Sequence, residues 1–125
     1  MKGFIIRTNM IKQLFILFFA LIASTAFAQD DATFLNNKGL AYDRQDNYTK
    51  ALETFLEALD IRLKELGAEH PYVAQSYNNI GSVYDQWGNY PLALDYFQKA
   101  LAIWEKALGK DHSNTTRELD NVEYL

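Results

Sequence analysis

"NNKGLAYDRQDNYTKALETFLEAL", residues 36–59, is written again as "NNIGSVYDQWGNYPLALDYFQKAL", residues 78–101. The offset is 42 residues. Aligning 34–75 with 76–117 leaves 17 of 42 positions identical. Gly39 matches Gly81, Tyr42 matches Tyr84, and Ala51 matches Ala93. Phe55 matches Phe97, and Ala58 matches Ala100. The matched residues are small, aromatic or aliphatic, while many of the charges between them differ. A packing scheme is therefore repeated within one chain, and its solvated face drifts. A fixed period of this length is the signature of a stacked array of supersecondary units.

Each copy predicts two helices. The first spans about Thr33–Gln45 and breaks at Asp46-Asn47, where short polar side chains favour a turn. Gly88-Asn89 stands at the same place in the second copy. The second helix spans Tyr48–Leu66, and again Tyr90–Leu108. Along the latter, Tyr90, Leu94, Phe97, Leu101, Trp104 and Leu108 step by 4, 3, 4, 3 and 4, one continuous face. Such a helix is roughly 28 Å long. Gly67 and Gly109 follow as helix stops. His70-Pro71 opens the next helix, with proline where its missing N–H costs nothing; Ser113 replaces it in the second copy.

Gly39 and Gly81 sit inside a helix, where glycine costs about 1 kcal/mol against alanine. That cost is tolerated where a second helix passes close by. Ala51 and Ala58 lie seven apart on the partner helix, as do Ala93 and Ala100. One such hairpin leaves an apolar face open, and the next copy covers it.

This pattern resembles the tetratricopeptide repeat, in the 42-residue form of the kinesin light chain. The residues that carry the likeness are Leu35, Gly39, Tyr42, Ala51, Phe55 and Ala58, then Tyr77, Gly81, Tyr84, Ala93, Phe97 and Ala100. The ending Ala-Leu-x-Ile-x-x-Lys-x-Leu-Gly-x-x-His recurs at 58–70 and 100–112. Lys38 departs from the leucine expected there. The fold implied is all-α, a right-handed α–α superhelix of two helix pairs plus a C-terminal helix. Repeat 1 covers about 32–73, repeat 2 about 74–115, and a partial repeat or capping helix 116–125. That last helix is expected to be polar on Arg117, Glu118, Asp120 and Glu123. The competing expectation is a fragment of a longer array.

The resemblance implies a concave groove lined by the first helix of each pair. Its expected residues are Thr33, Asn36, Asn37, Leu40, Asp43 and Arg44 from the first copy. Gln75, Asn78, Asn79, Ser82, Asp85 and Gln86 follow from the second, then Arg117, Asp120 and Asn121. The asparagines form a ladder. A carboxamide has two donors and an acceptor, so it can pair with both groups of an extended peptide backbone. Asn36 and Asn78 are the rungs expected to face a ligand; Asn37 and Asn79 are weighed equally between that role and bonding a neighbouring helix. A carboxylate-clamp variant of the family wants Lys, Asn, Asn, Lys and Arg at five groove positions. Here these hold Asn36, Leu40, Asn79, Arg117 and Asn121, and only Asn79 matches.

Residues 1–28 form a separate segment, ahead of a repeat domain at 29–125. Lys2, Arg7 and Lys12 precede the uncharged run LFILFFALIA, residues 14–23, and Ala26-Phe27-Ala28 fits a cleavage site. This is the pattern of a secretory signal. The expectation is export to a bacterial periplasm or the cell exterior; a retained anchor is the competing reading. Met10 is a second candidate start. Loss of those three basic residues takes the formal charge from −4 to −7. That disfavours nucleic acid, whose phosphates need clustered Lys and Arg. With no cysteine there is no disulfide framework.

No enzyme motif, phosphate loop or metal-ligand spacing is present. His70 and His112, the only histidines, are expected at helix starts. No catalytic residue, cofactor, metal or small-molecule substrate is expected. The expected partner is a protein or extended peptide segment, bound by a non-enzymatic scaffold. The competing class is a structural piece that self-associates through its terminal helices or belongs to a longer array, for example the sensor region of an envelope signalling protein. Trp87 and Trp104 replace Gln45 and Arg62 of the first copy. Both are expected to pack under the last helix rather than stand as exposed anchors.

Overall fold

The computed structural model describes residues 2–125, with side chains from residue 7 onward. Met1 as a start, and the Lys2 side chain of the basic N-terminal region, lie outside the described residues. Five helices follow in order: α1 Lys2–Asp43, α2 Tyr48–Leu66, α3 Pro71–Gln86, α4 Tyr90–Leu108 and α5 Ser113–Tyr124. The described residues contain no strand.

Helix α1 is the departure from the expected boundaries. It runs unbroken through the apolar N-terminal segment into the first repeat. No glycine or proline stands between Gly3 and Gly39, so nothing local interrupts the backbone ladder. From residue 7 onward its first deeply buried side chain is Ala32, and the large apolar side chains from Met10 to Phe27 are exposed. It is the one described helix long and apolar enough to cross a membrane, by length and composition.

The turns are local chemistry. After α1, Asp46 takes φ 56°, and the Asn47 N–H donates back to the Tyr42 carbonyl at 3.0 Å. Gly88 does the same at φ 84°, with Asn89 N–H reaching Tyr84 O at 2.8 Å. The two turns share one hydrogen-bonded helix stop, in which a single residue must be left-handed. Asn47 and Asn89 then cap α2 and α4 through their side-chain oxygens. His70 and His112 cap α3 and α5, each Nδ1 accepting a backbone N–H two residues on. Their placement at helix starts is thus a capping role. Gly67 and Gly109, both at φ 86°, close α2 and α4.

Helix α1 packs on α2, α2 on α3, α3 on α4 and α4 on α5, the order of a solenoid of hairpins. A Cβ placed on Gly39 would lie 2.6 Å from the Phe55 ring, and one on Gly81 2.7 Å from the Phe97 ring. The repeated glycines are therefore slots for the repeated phenylalanines. The main core joins Ala51, Leu52, Phe55 and Leu59 of α2 to Val73, Ile80 and Val83 of α3. A second cluster joins Ala74, Ala100 and Trp104.

Candidate peptide-binding groove

Stacking brings α1, α3 and α5, the first helices of successive units, onto one side. Amide hydrogen bonds link them. Asn79 Nδ2 donates to Asn36 Oδ1 at 2.7 Å, between α3 and α1. One repeat on, Asn78 Nδ2 donates to Glu118 Oε2 at 2.6 Å, between α3 and α5, and Asn121 Nδ2 reaches the same oxygen at 3.2 Å. Gln86 Nε2 donates to both oxygens of Asp43, at 3.1 and 3.2 Å. The asparagines expected to form a ladder spend part of their bonding capacity on holding the helices together.

This changes which rungs face solvent. Asn36 is only 6% exposed, so it is a structural acceptor rather than a ligand contact. The reason is the next repeat: α3 lays Asn79 over it. Asn37, one residue on, is exposed. Asn78 and Asn79 are half-buried. Each keeps a carbonyl oxygen and a second N–H beyond the bond it donates. Leu40, Ser82, Asp43 and Asp85 are half-buried between these rungs. Thr33, Arg44, Gln75, Gln86, Arg117 and Asp120 are exposed around them. Arg117 donates to Asn114 at 3.3 Å within α5.

Two buried polar residues were not expected. Glu118, read from sequence as part of a solvated face, is 0% exposed. Its Oε1 has no hydrogen-bond partner, and neither has the buried Thr115 Oγ1. Burial pushes the Glu118 carboxyl up to about 7, against the opposing hydrogen bonds from Asn121 and Asn78 and the charge of Arg117. Arg62 is also buried; it donates Nη1–H to Tyr72 O at 3.0 Å and to Ser76 Oγ at 2.8 Å. Glu118 is the repeat equivalent of Ser76, and Trp104 of Arg62. Ser76 is itself buried, so the repeat carries Glu118 to an inside position, but that position is recognised only once the structure shows Ser76 covered.

The tryptophans separate. Trp104 is buried, 2% exposed, as expected. Trp87 is 53% exposed, which corrects the expectation that it packs under the last helix. It is the C-terminal cap residue of α3 and leans back toward repeat 1, with its ring 5.9 Å from that of Tyr48. Among the described residues no group of three or more His, Asp or Glu side chains is placed to hold a metal.

These features define a class: an α-helical hairpin solenoid with a polar inner wall. Residues 30–106 match the family described as Tetratricopeptide repeat, and the chain belongs to that family. Among solved structures, the crystal structure of BtubC (BKLC) from P. vanneervenii is similar, with a TM-score of 0.68 and 22% identity. The likeness covers 74% of this chain and 37% of that one, and at this identity it speaks to the fold alone. No curated protein matches the chain.

Proposed function

We propose that this chain is a non-enzymatic scaffold that holds an extended segment of another protein along α1, α3 and α5. The family is one of repeat scaffolds, which supports the reading at the level of class. The observation that carries it further is the half-buried pair Asn78 and Asn79. Each is held by one intrachain bond, so its rotamer is set before a ligand arrives. Preset side chains lower the ordering cost of binding. Their remaining donors and oxygens suit a peptide backbone. The long form of the repeat seen in the kinesin light chain remains part of this proposal, as does binding that reads backbone more than side chains.

The test is peptide selection on the immobilised full chain in nonionic detergent, followed by calorimetry of the selected peptides. Ser82→Arg fills the groove at a place where the first copy already carries the larger Leu40. Selected peptides should bind that variant at least tenfold more weakly, with helicity unchanged. Equal binding to both proteins sinks the groove.

Export is proposed from the N-terminal segment. Its large apolar side chains from Met10 to Phe27 are exposed, which suits a signal or anchor in contact with lipid. Mass spectrometry of the protein from fractionated cells tests this. A mature N-terminus at Gln29 supports a cleaved signal, and an intact chain in membranes supports an anchor. An intact chain in the cytosol contradicts both.

Self-association is the second reading. Phe34 and Leu56 are exposed on the first hairpin, and Leu119 on α5. Light scattering of the full chain in detergent decides it: a micelle-corrected mass of one chain at micromolar concentration removes end-to-end stacking.

A further inference from the structure

The α1–α2 and α3–α4 turns stand side by side, joined by the Tyr48–Trp87 ring contact, and the two copies differ there in one direction. Gln45, Asp46, Thr49 and Lys50 of the first copy become Trp87, Gly88, Pro91 and Leu92 in the second. The new apolar side chains are not buried: Trp87 is 53% and Leu92 39% exposed. Beyond the contact of Trp87 with Tyr48, packing does not account for them. Together with Tyr84, Gly88 and Asn89, the Trp87 and Pro91 side chains line an open cleft.

The first copy shows what such a ring takes. Lys50 Nζ lies 5.5 Å over the Tyr42 ring and Lys38 Nζ 6.0 Å from it. At the equivalent Tyr84, both lysines are gone, replaced by Leu92 and Ile80. The Tyr84 ring stacks on Tyr96, and Lys99 lies over Tyr96 and Tyr77. Carboxylates are at hand. Asp46 accepts from the Tyr48 hydroxyl at 3.2 Å, and Tyr48 is the ring against which Trp87 leans. Desolvation, then Asp46 and Asp43, hold that hydroxyl above the usual phenol range.

We propose that the Tyr84–Trp87–Pro91 cleft is a second docking site, which takes an arginine or lysine side chain from a basic segment of a partner protein. The partner's cation stacks on Trp87 and Tyr84 in the way Lys50 covers Tyr42, and Asp46, bonded to the Tyr48 hydroxyl beside Trp87, supplies the opposite charge. The site is separate from the inner groove, and its test does not depend on groove binding.

The experiment titrates the full chain, in nonionic detergent at low salt, with hexa-arginine amide. Hexaglutamate is the control, and tryptophan fluorescence is the readout, since Trp87 is the exposed indole. Trp87→Gln installs the residue that the first copy carries in the same turn, so folding is retained and circular dichroism checks it. Binding to Trp87→Gln is followed by calorimetry. The expected result is saturable binding by the parent chain, at least tenfold weaker for Trp87→Gln and weakened again by Asp46→Asn. Equal affinity for the parent chain and Trp87→Gln overturns the proposal, because net charge alone then explains the binding. So does the absence of any change at Trp87.

Discussion

Asn78 donates a 2.6 Å hydrogen bond to Glu118, forty residues away, and thereby ties α3 to α5. The acceptor belongs to a carboxyl that no solvent reaches. One of its oxygens is served twice, by Asn78 and Asn121, and the other is left unpaired. A buried carboxyl in this position favours its protonated form.

Stability should therefore fall as pH rises across this group. Its folded pKa of about 7 lies above the ordinary 4.5. Below 4.5 both folded and unfolded chains hold the proton, and no penalty exists. Above 7 the unfolded chain has gained from ionising and the folded chain has paid the desolvation. The full effect is at most about 3 kcal/mol. Glu118→Gln should raise the melting temperature at pH 8 and change it little at pH 4.5. Melting curves of the two proteins that run parallel over that range would remove Glu118 as the cause.

The Asn79–Asn36 bond should be structural. Asn79→Ala leaves the buried Asn36 oxygen without its donor, a loss of about 1–2 kcal/mol. Asn37→Ala, at an exposed position, should stay within about 0.5 kcal/mol of the parent. Urea denaturation measures both, and comparable losses would contradict the burial difference.

Gly81→Ala sets two effects against each other. Alanine gains about 1 kcal/mol of helix propensity. Its Cβ meets Phe97 ring atoms at 2.7 Å and the Ala93 carbonyl oxygen at 3.3 Å. Overpacking of that kind costs about 1–3 kcal/mol, and the backbone oxygen limits how far α4 can yield. A net loss is expected, and the same for Gly39→Ala against Phe55. A stabilised variant by thermal melting would show that the slot has slack.

Asp46→Gly should stabilise the chain. Asp46 holds φ 56°, a conformation that costs a residue with a Cβ about 1 kcal/mol, and Gly88 fills the same place in the second copy without that cost. The lost contact to the Tyr48 hydroxyl is exposed and weak at 3.2 Å. A gain of about 0.5 kcal/mol is expected from urea denaturation, and a loss would assign the Tyr48 contact a larger share than its geometry supports.

The sequence by itself determined the hairpins. Asn47, Asn89, His70 and His112 cap helices within two or three residues of themselves, and Gly67 and Gly109 end them; these are interactions of near neighbours along the chain. The close helix approach at Gly39 and Gly81 was legible too, because each glycine recurs inside a helix at the repeat offset, while the phenylalanine ring that fills each slot is seen only in the structure. Only the tertiary structure decided which polar groups on the inner helices are available. Asn36 and Asn37 are adjacent and chemically identical, yet α3 covers one and leaves the other in water. Glu118 looked solvated because charge usually is, and Trp87 looked buried because tryptophan usually is. Each is settled by a helix roughly forty residues away that either passes over the side chain or does not, and no local pattern encodes that.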